Sequence, residues 1–244
     1  MNYALFKKQL QTVGIEITGE QYAALDRYYS LLVEWNEKMN LTAITEEEEV
    51  YSKHFLDSCL GATALKDIKN LSDADSSYKV IDVGTGAGFP GVPLKIMFPG
   101  IHLTLLDSLQ KRLTFLQEVC SELNLENVDF VHARAEDGGR DKNLREKFDL
   151  VTSRAVANLS VLSEYCIPYV KVGGTFLAYK SSESIEEIES AKSAISKLGG
   201  RVTVKTLPLP GTEIERVFAI TIKKKPTPAF YPRKAGVPKK NPLH

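Results

Sequence analysis

Between Tyr78 and Gly91 the chain reads Tyr-Lys-Val-Ile-Asp-Val-Gly-Thr-Gly-Ala-Gly-Phe-Pro-Gly. Val80, Ile81 and Val83 form a short buried strand with Asp82 near its end. Gly84, Gly86, Gly88 and Gly91 then permit a tight turn into a helix whose free amides can hold a ligand. Two patterns fit. Gly86, Gly88 and Gly91 satisfy the dinucleotide spacing G-x-G-x-x-G. Asp82, Gly84, Gly86 and Gly88 satisfy D-x-G-x-G-x-G, the spacing of S-adenosylmethionine enzymes. Both want an acid about 20 residues on for ribose hydroxyls, and Asp107 serves either. Asp82 separates them: a carboxylate there repels a pyrophosphate and attracts an ammonium or sulfonium. The loop therefore reads as a methyl-donor site over a nicotinamide one.

Positioning such a loop requires a particular scaffold. From Lys79 onward strands and helices alternate: strands at His102 to Asp107, Val128 to His132, Phe148 to Ser153 and Gly173 to Lys180, with helices between them. Alternation implies a parallel sheet covered on both faces. Arg201 to Leu207 and Arg216 to Lys223 have only a loop between them and read as an antiparallel edge hairpin. Ligands of such sheets bind outside the carboxyl ends of the strands. The polar residues delivered there are Asp82, Asp107, Ser108, Ala135-Glu136, Ser153-Arg154 and Lys180-Ser181. No catalytic triad or metal-ligand set joins them. Arg154 is the candidate for the reacting region, as a holder of a carboxylate or phosphate.

Ahead of the sheet the chain reads as helical. Thr18 with Gln21, and Thr45 with Glu48, resemble capping boxes. Tyr22, Leu25, Tyr29, Leu32, Trp35 and Met39 form one apolar stripe, which makes Trp35 a core residue and not a base-stacking platform. In Lys53-His54-Phe55-Leu56-Asp57-Ser58 the polar groups share a helical face. They read as an ordinary surface pair, with acid/base chemistry only if a cleft lies beside them. Asn70 to Ser77 reads as a linker.

Composition is that of an ordinary globular chain: 244 residues, 43% hydrophobic, 25% charged, with 31 basic and 31 acidic residues. The balance hides an asymmetry. From Lys223 onward there are seven cations (Lys223, Lys224, Lys225, Arg233, Lys234, Lys239 and Lys240) and no acid, which leaves the rest net −7. With Phe230 and Tyr231 interleaved, this is a strip for phosphates and stacked bases, or else a solvated, fraying end. No apolar run is long enough to span a bilayer and no signal segment opens the chain, so a cytoplasmic, monomeric protein without membrane or metal partners is expected. Cys59, Cys120 and Cys166 read as buried thiols.

Several strings in one order resemble a single family, the bacterial 16S ribosomal RNA guanine-N7 methyltransferases called RsmG or glucose-inhibited division protein B. They are Asn36 with Asn40-Leu41-Thr42, Lys53 to Ser58, Asp82 to Gly91 with Pro93-Leu94-Lys95, Leu106-Asp107-Ser108 with Lys111-Arg112, Ala133 to Glu136, Ser153 to Ala157, Gly173-Gly174 and Tyr231 to Gly236. Lys180-Ser181 departs from the family, where glycine often follows the lysine. The resemblance implies a Rossmann-like class I S-adenosylmethionine-dependent methyltransferase with a doubly wound, mostly parallel sheet. Its parts are an N-terminal helical extension (1–77), the methyltransferase domain (78–223) and a basic tail (224–244) on or near the RNA-binding face. It implies methyl transfer to nitrogen-7 of one guanine in the decoding-region loop of 16S rRNA in the small ribosomal subunit, leaving S-adenosylhomocysteine. The donor residues it implies are Gly84, Phe89, Asp107, Ser108, Leu109, Ala135, Glu136 and Arg154, to which the loop pattern adds Asp82, Gly86 and Gly88.

Overall fold

The computed structural model describes residues 2–65, 69–73, 75 and 77–244. Asn2 caps helix α1 (Tyr3–Thr12), and at α2 (Gly19–Met39) Thr18 and Gln21 bond reciprocally, each side chain accepting from the other's backbone amide. The second expected box does not form. Helix α3 (Glu47–Val50) starts at Glu46 without a side-chain cap, and Thr45 gives its carbonyl to Tyr29 Oη. A π-helical segment, Tyr51–Leu56, follows and runs straight into α4 (Asp57–Ala64). Helix α5 (Lys69–Ser72) occupies the start of the expected linker, part of which lies outside the described residues.

The sheet is built from β1 (Lys79–Val83), β2 (His102–Asp107), β3 (Val128–His132), β4 (Phe148–Arg154), β5 (Val170–Ser181), β6 (Gly200–Pro208) and β7 (Glu215–Lys223). Its order is β3-β2-β1-β4-β5-β7-β6. The first five strands are parallel, and β7 pairs antiparallel with both β5 and β6, as the hairpin expectation required. Helices α6 (Gly91–Met97), α7 (Gln110–Glu122), α8 (Ala135–Gly138), α9 (Leu159–Cys166) and α10 (Ile185–Lys197) connect the strands, and α11 (Val237–Lys240) lies in the tail. Helix α9 stops at Cys166, where a 3₁₀ turn containing Pro168 takes over.

Alternating side chains divide the interior into two cores. Val80, Leu103, Leu105, Leu150 and Leu177 face one side of the sheet, where they join α1, α2, α4, α6 and α7. Ile81, Val83, Leu106, Val151 and Phe176 face the other, against α9 and α10. The N-terminal helices thus share a core with the sheet. Buried Tyr28 and Leu31 join Leu25 and Leu32 on the inner face of α2, whereas Tyr22 and Met39 of the expected stripe are only half-buried. Trp35 is half-buried against Phe115, and its Nε1 donates to Glu118. All three cysteines are free and buried. No helix among the described residues is long and apolar enough to cross a membrane.

Gly61 in α4 lies against the Tyr179 ring, where a Cβ would fall 2.1 Å from Oη; that hydroxyl donates to Ser58 O at 2.8 Å. Gly61→Ala is expected to cost about 1–3 kcal/mol through overpacking. The measurement is a lower urea midpoint at unchanged slope; an unmoved midpoint would mean that α4 does not hold Tyr179 there.

Candidate active site

The carboxyl ends of β1 and β4 meet where the strand order reverses, and the glycine loop lies there. Gly84 has φ +71°, and a Cβ on it would fall 2.8 Å from Val156 Cγ2, so the turn needs glycine both for its backbone and for contact with the loop after β4. Asp107 ends β2. Its Oδ2 accepts from the Gly86 amide at 2.9 Å and from Arg112 at 3.3 Å, while Oδ1 accepts from the Leu109 amide at 2.9 Å. Helix α7 begins after Leu109, so this last bond holds the residue that precedes its first turn.

The Asp82 side chain turns into the protein and lines no cavity described below. Its carboxylate is fully buried, accepting from Thr85 Oγ1 (2.7 Å), the Gly91 amide (3.2 Å) and Thr152 Oγ1 (3.0 Å). It therefore clamps the two ends of the loop to each other and to β4. Burial raises its pKa to about 6, and the three hydrogen bonds act against that rise. The charge argument chose the loop type through a residue whose work is mechanical.

The surface-pair reading of Lys53, His54 and Asp57 is overturned. Asp57 is buried, with Oδ2 accepting from Arg154 at 2.9 Å and Oδ1 from Arg216 Nε at 2.7 Å. Arg154 also donates to Lys53 O (3.0 Å) and approaches His54 Nδ1 (3.1 Å), and its guanidinium lies 5.2 Å from the Phe89 ring centre. His54 Nδ1 lies 3.1 Å both from Arg154, which only donates, and from Lys53 O, which only accepts, while Nε2 lies 3.0 Å from Thr42 Oγ1, which can do either. Burial first, and then the Arg154 charge, lowers the imidazole pKa to about 4. The ring stacks on Phe89 at 4.5 Å. The π-helical turn widens the backbone where Lys53 and His54 project, and no residue pattern announced it.

Two cavities adjoin at this cluster. One, about 900 Å³, is lined by Gly84, Gly86, Phe89, Asp107, Ser108, Ala135, Glu136 and Arg154 from the expected donor set. Asp82, Gly88 and Leu109 do not line it: Gly88 is packed under Tyr28 and Leu116, and Leu109 points outward. His54, Thr42, Tyr165 and three tail residues are among the others that line it. The other, about 430 Å³, shares His54, Arg154 and Ala155 and adds Lys53, Asp57, Lys180, Ser181 and Arg216. Lys180 is engaged, donating to Ala157 O and Glu187.

The family model described as rRNA small subunit methyltransferase G matches residues 21–210. A ribosomal RNA small subunit methyltransferase G from Alkaliphilus oremlandii is 53% identical over 242 residues, covering 98% of each chain. This chain belongs to that family. A second member, from Exiguobacterium sp., is 49% identical over 245 residues with all of both chains covered. Among solved structures, a variant of the 16S rRNA (adenine(1408)-N(1))-methyltransferase from Catenulisporales acidiphilia aligns at TM-score 0.50 and 15% identity, over 66% of this chain and 92% of its own. That likeness shows the fold, a Rossmann-like class I methyltransferase.

Family membership does not make every tail cation a phosphate contact. Lys223 is buried, donating to Glu146 (2.9 Å), Ile167 O and Val170 O (3.0 Å each). Arg233 grips Glu164, itself fully buried, through Nε and a terminal nitrogen at 2.6–3.2 Å. Both are committed to holding the tail, which corrects their assignment to RNA. Arg140 and Arg145 fix the same segment by donating to the carbonyls of Pro232, Tyr231 and Thr227, so the tail does not fray. Lys224, Lys225, Lys234, Lys239 and Lys240 remain exposed.

A mechanical Asp82 predicts a particular mutational pattern. In Asp82→Asn the amide oxygen can keep Thr85 and Gly91 while its nitrogen donates to the Thr152 hydroxyl, so affinity for S-adenosylhomocysteine stays within about threefold. Asp82→Leu strands those donors, at about 1–3 kcal/mol, and weakens binding about tenfold or more. Equal losses in both variants, read by titration calorimetry, would restore a direct charge role.

His54 predicts a pH effect on stability. Its folded pKa, about 4, lies below the unfolded value of about 6.5. Its contribution is therefore present above pH 6.5 and lost as pH falls through 4, about 3 kcal/mol in all. The stability difference between the protein and His54→Gln, from urea unfolding, should narrow between pH 7 and pH 4. A constant difference would mean that the ring is not held neutral.

Proposed function

We propose that this chain transfers a methyl group from S-adenosylmethionine to nitrogen-7 of one guanine in the decoding-region loop of 16S rRNA, acting on the small ribosomal subunit in the cytoplasm. The observation that carries the reading is the junction of the two cavities at Arg154: one has a glycine turn and a ribose-binding acid, the other a surplus of positive charge. Two guanidinium groups share the single Asp57 carboxylate there, and the terminal nitrogens of Arg216 have no hydrogen-bond partner among the described residues. A phosphate-bearing nucleotide suits that surplus.

The residues present fit the donor. Asp107 retains acceptor capacity on both oxygens after its three bonds, enough for ribose hydroxyls, and the backbone at Gly84 and Gly86 is open to close approach. When bound, the donor supplies an activated methyl group. Guanine nitrogen-7 has a lone pair and no proton to lose, so the chain needs no general base, and a histidine held neutral and hydrogen-bonded on both nitrogens agrees with that. Alignment is the main contribution, with about 7–11 kcal/mol available from positioning. Arg154 has three of its five N–H groups engaged and two left to orient the incoming nucleotide, extruded from its loop.

Two experiments test this. Incubation with labelled S-adenosylmethionine and small subunits lacking the modification should label a single guanine of 16S rRNA on mass mapping; no label in RNA overturns the reading. Arg154→Ala, and also Arg154→Lys, which lacks the planar fork, should lower kcat/KM by about 100-fold; unchanged kcat and KM would remove Arg154 from the reaction. With Lys224, Lys225, Lys234 and Lys240 at about 0.7 each, their share of the salt slope of RNA binding is about −2.8.

A further inference from the structure

The segment from Gly236 to Pro242 was read from the sequence as part of an RNA-contacting tail, yet Gly236, Lys239 and Pro242 line the same cavity as the glycine loop and Asp107. The Gly236 amide donates to Glu136 Oε1 at 2.8 Å, and Glu136 is itself buried in the cavity wall, with no donor to Oε2 among the described residues. Upstream the segment is anchored by Arg233 on Glu164; downstream an Arg233 terminal nitrogen donates to Asn241 O at 2.8 Å, folding the tail back on its own anchor. Gly236 is the bend between the two, at φ +82°. Outside, the same few residues present Lys234 and Lys240 to solvent.

We propose that residues 236–242 form the outer wall of the methyl-donor cavity, and that donor and RNA bind cooperatively because both favour the same closed position of this segment. The proposal rests on the functional reading above. A donor in the cavity touches Lys239 and Pro242 from within, and RNA phosphates engage Lys234 and Lys240 from without. A segment held in place by one ligand costs the other less ordering. Linkage then requires the two enhancements to be equal.

The test uses S-adenosylhomocysteine as probe, titrated calorimetrically into the full chain, a chain ending at Gly236, and the point variants Lys239→Ala and Gly236→Ala. The truncation keeps Arg233 on Glu164 and the Arg140 and Arg145 contacts, and circular dichroism checks its fold. At Gly236 a Cβ meets nothing within 4 Å, so alanine there disturbs only the bend. Without RNA, the truncated chain should bind the probe at least tenfold more weakly and the point variants about threefold more weakly. In the full chain, unmodified small subunits and the probe should each tighten the other by the same factor, about fivefold, and truncation should abolish it. Probe affinity within twofold of the full chain in a folded truncation, or in both point variants if the truncation does not fold, overturns the proposal, as does a full chain with no mutual enhancement. If no RNA is methylated, the functional reading fails on its own, and the probe titrations still decide whether the segment is a wall.

Discussion

A buried carboxylate has to be paired, and at Asp57 that requirement organises the site. One side chain at the start of α4 receives Arg154 from the end of β4 and Arg216 from the start of β7, so an N-terminal helix and two strands far apart in sequence are fixed by a single charge. Removing one member of such a cluster leaves others buried and unpaired, at a cost of about 3–5 kcal/mol. The arrangement also sets the electrostatics of the cleft. Two cations against one anion leave a net positive charge that no other ion pair among the described residues neutralises. Arg154 is held by three acceptors and by the Phe89 face, so its remaining donors point in a fixed direction with little conformational entropy left to lose.

The strand scaffold was legible because it rests on periodicity, and periodicity is local. Alternating apolar residues, the glycine turn, and an acid at the end of β2 define the doubly wound sheet and one wall of the larger cavity. Arg216 was not legible, for a topological reason. The rule that ligands sit at carboxyl ends holds for parallel strands, whereas antiparallel β7 brings its amino end to that edge, with Arg216 beside Ser181 of β5. A hairpin had been expected there, and carrying its direction one step further would have put Arg216 on the site. Lys53, His54 and Asp57 failed differently: their spacing is that of a solvated helix face, and only the packing of that face against β4 and β7 makes it a cavity wall. The π-helical turn has no sequence signature.

Asp82 separates a correct conclusion from its stated cause. The acid two residues before the glycines did distinguish the loop types, yet its oxygens are occupied by Thr85, Gly91 and Thr152. A methyl-donor loop must hold a wide, open turn beside β4, and an acceptor that can take three bonds at once holds it. The energetic cost is visible in the raised pKa: burial disfavours the charge that the hydrogen bonds require. His54, pushed in the opposite direction by the same burial, stays neutral, so the two groups pull the acid stability of the fold in opposite senses between about pH 4 and 6.

The charge asymmetry of the sequence resolves on the same physical basis. Of seven cations after residue 222, Lys223 and Arg233 are buried and each is paired with an acid of the body, Glu146 and Glu164, so part of the imbalance is internal and serves folding. The other five are exposed and come as Lys224-Lys225, Lys234 and Lys239-Lys240, adjacent like charges that repel one another and pair with no carboxylate among the described residues. Folding gains nothing from that repulsion; a polyanion does, because each lysine it engages releases a condensed counterion. The buried pairs fix where the tail runs, and that course carries Lys239 to the rim of the larger cavity.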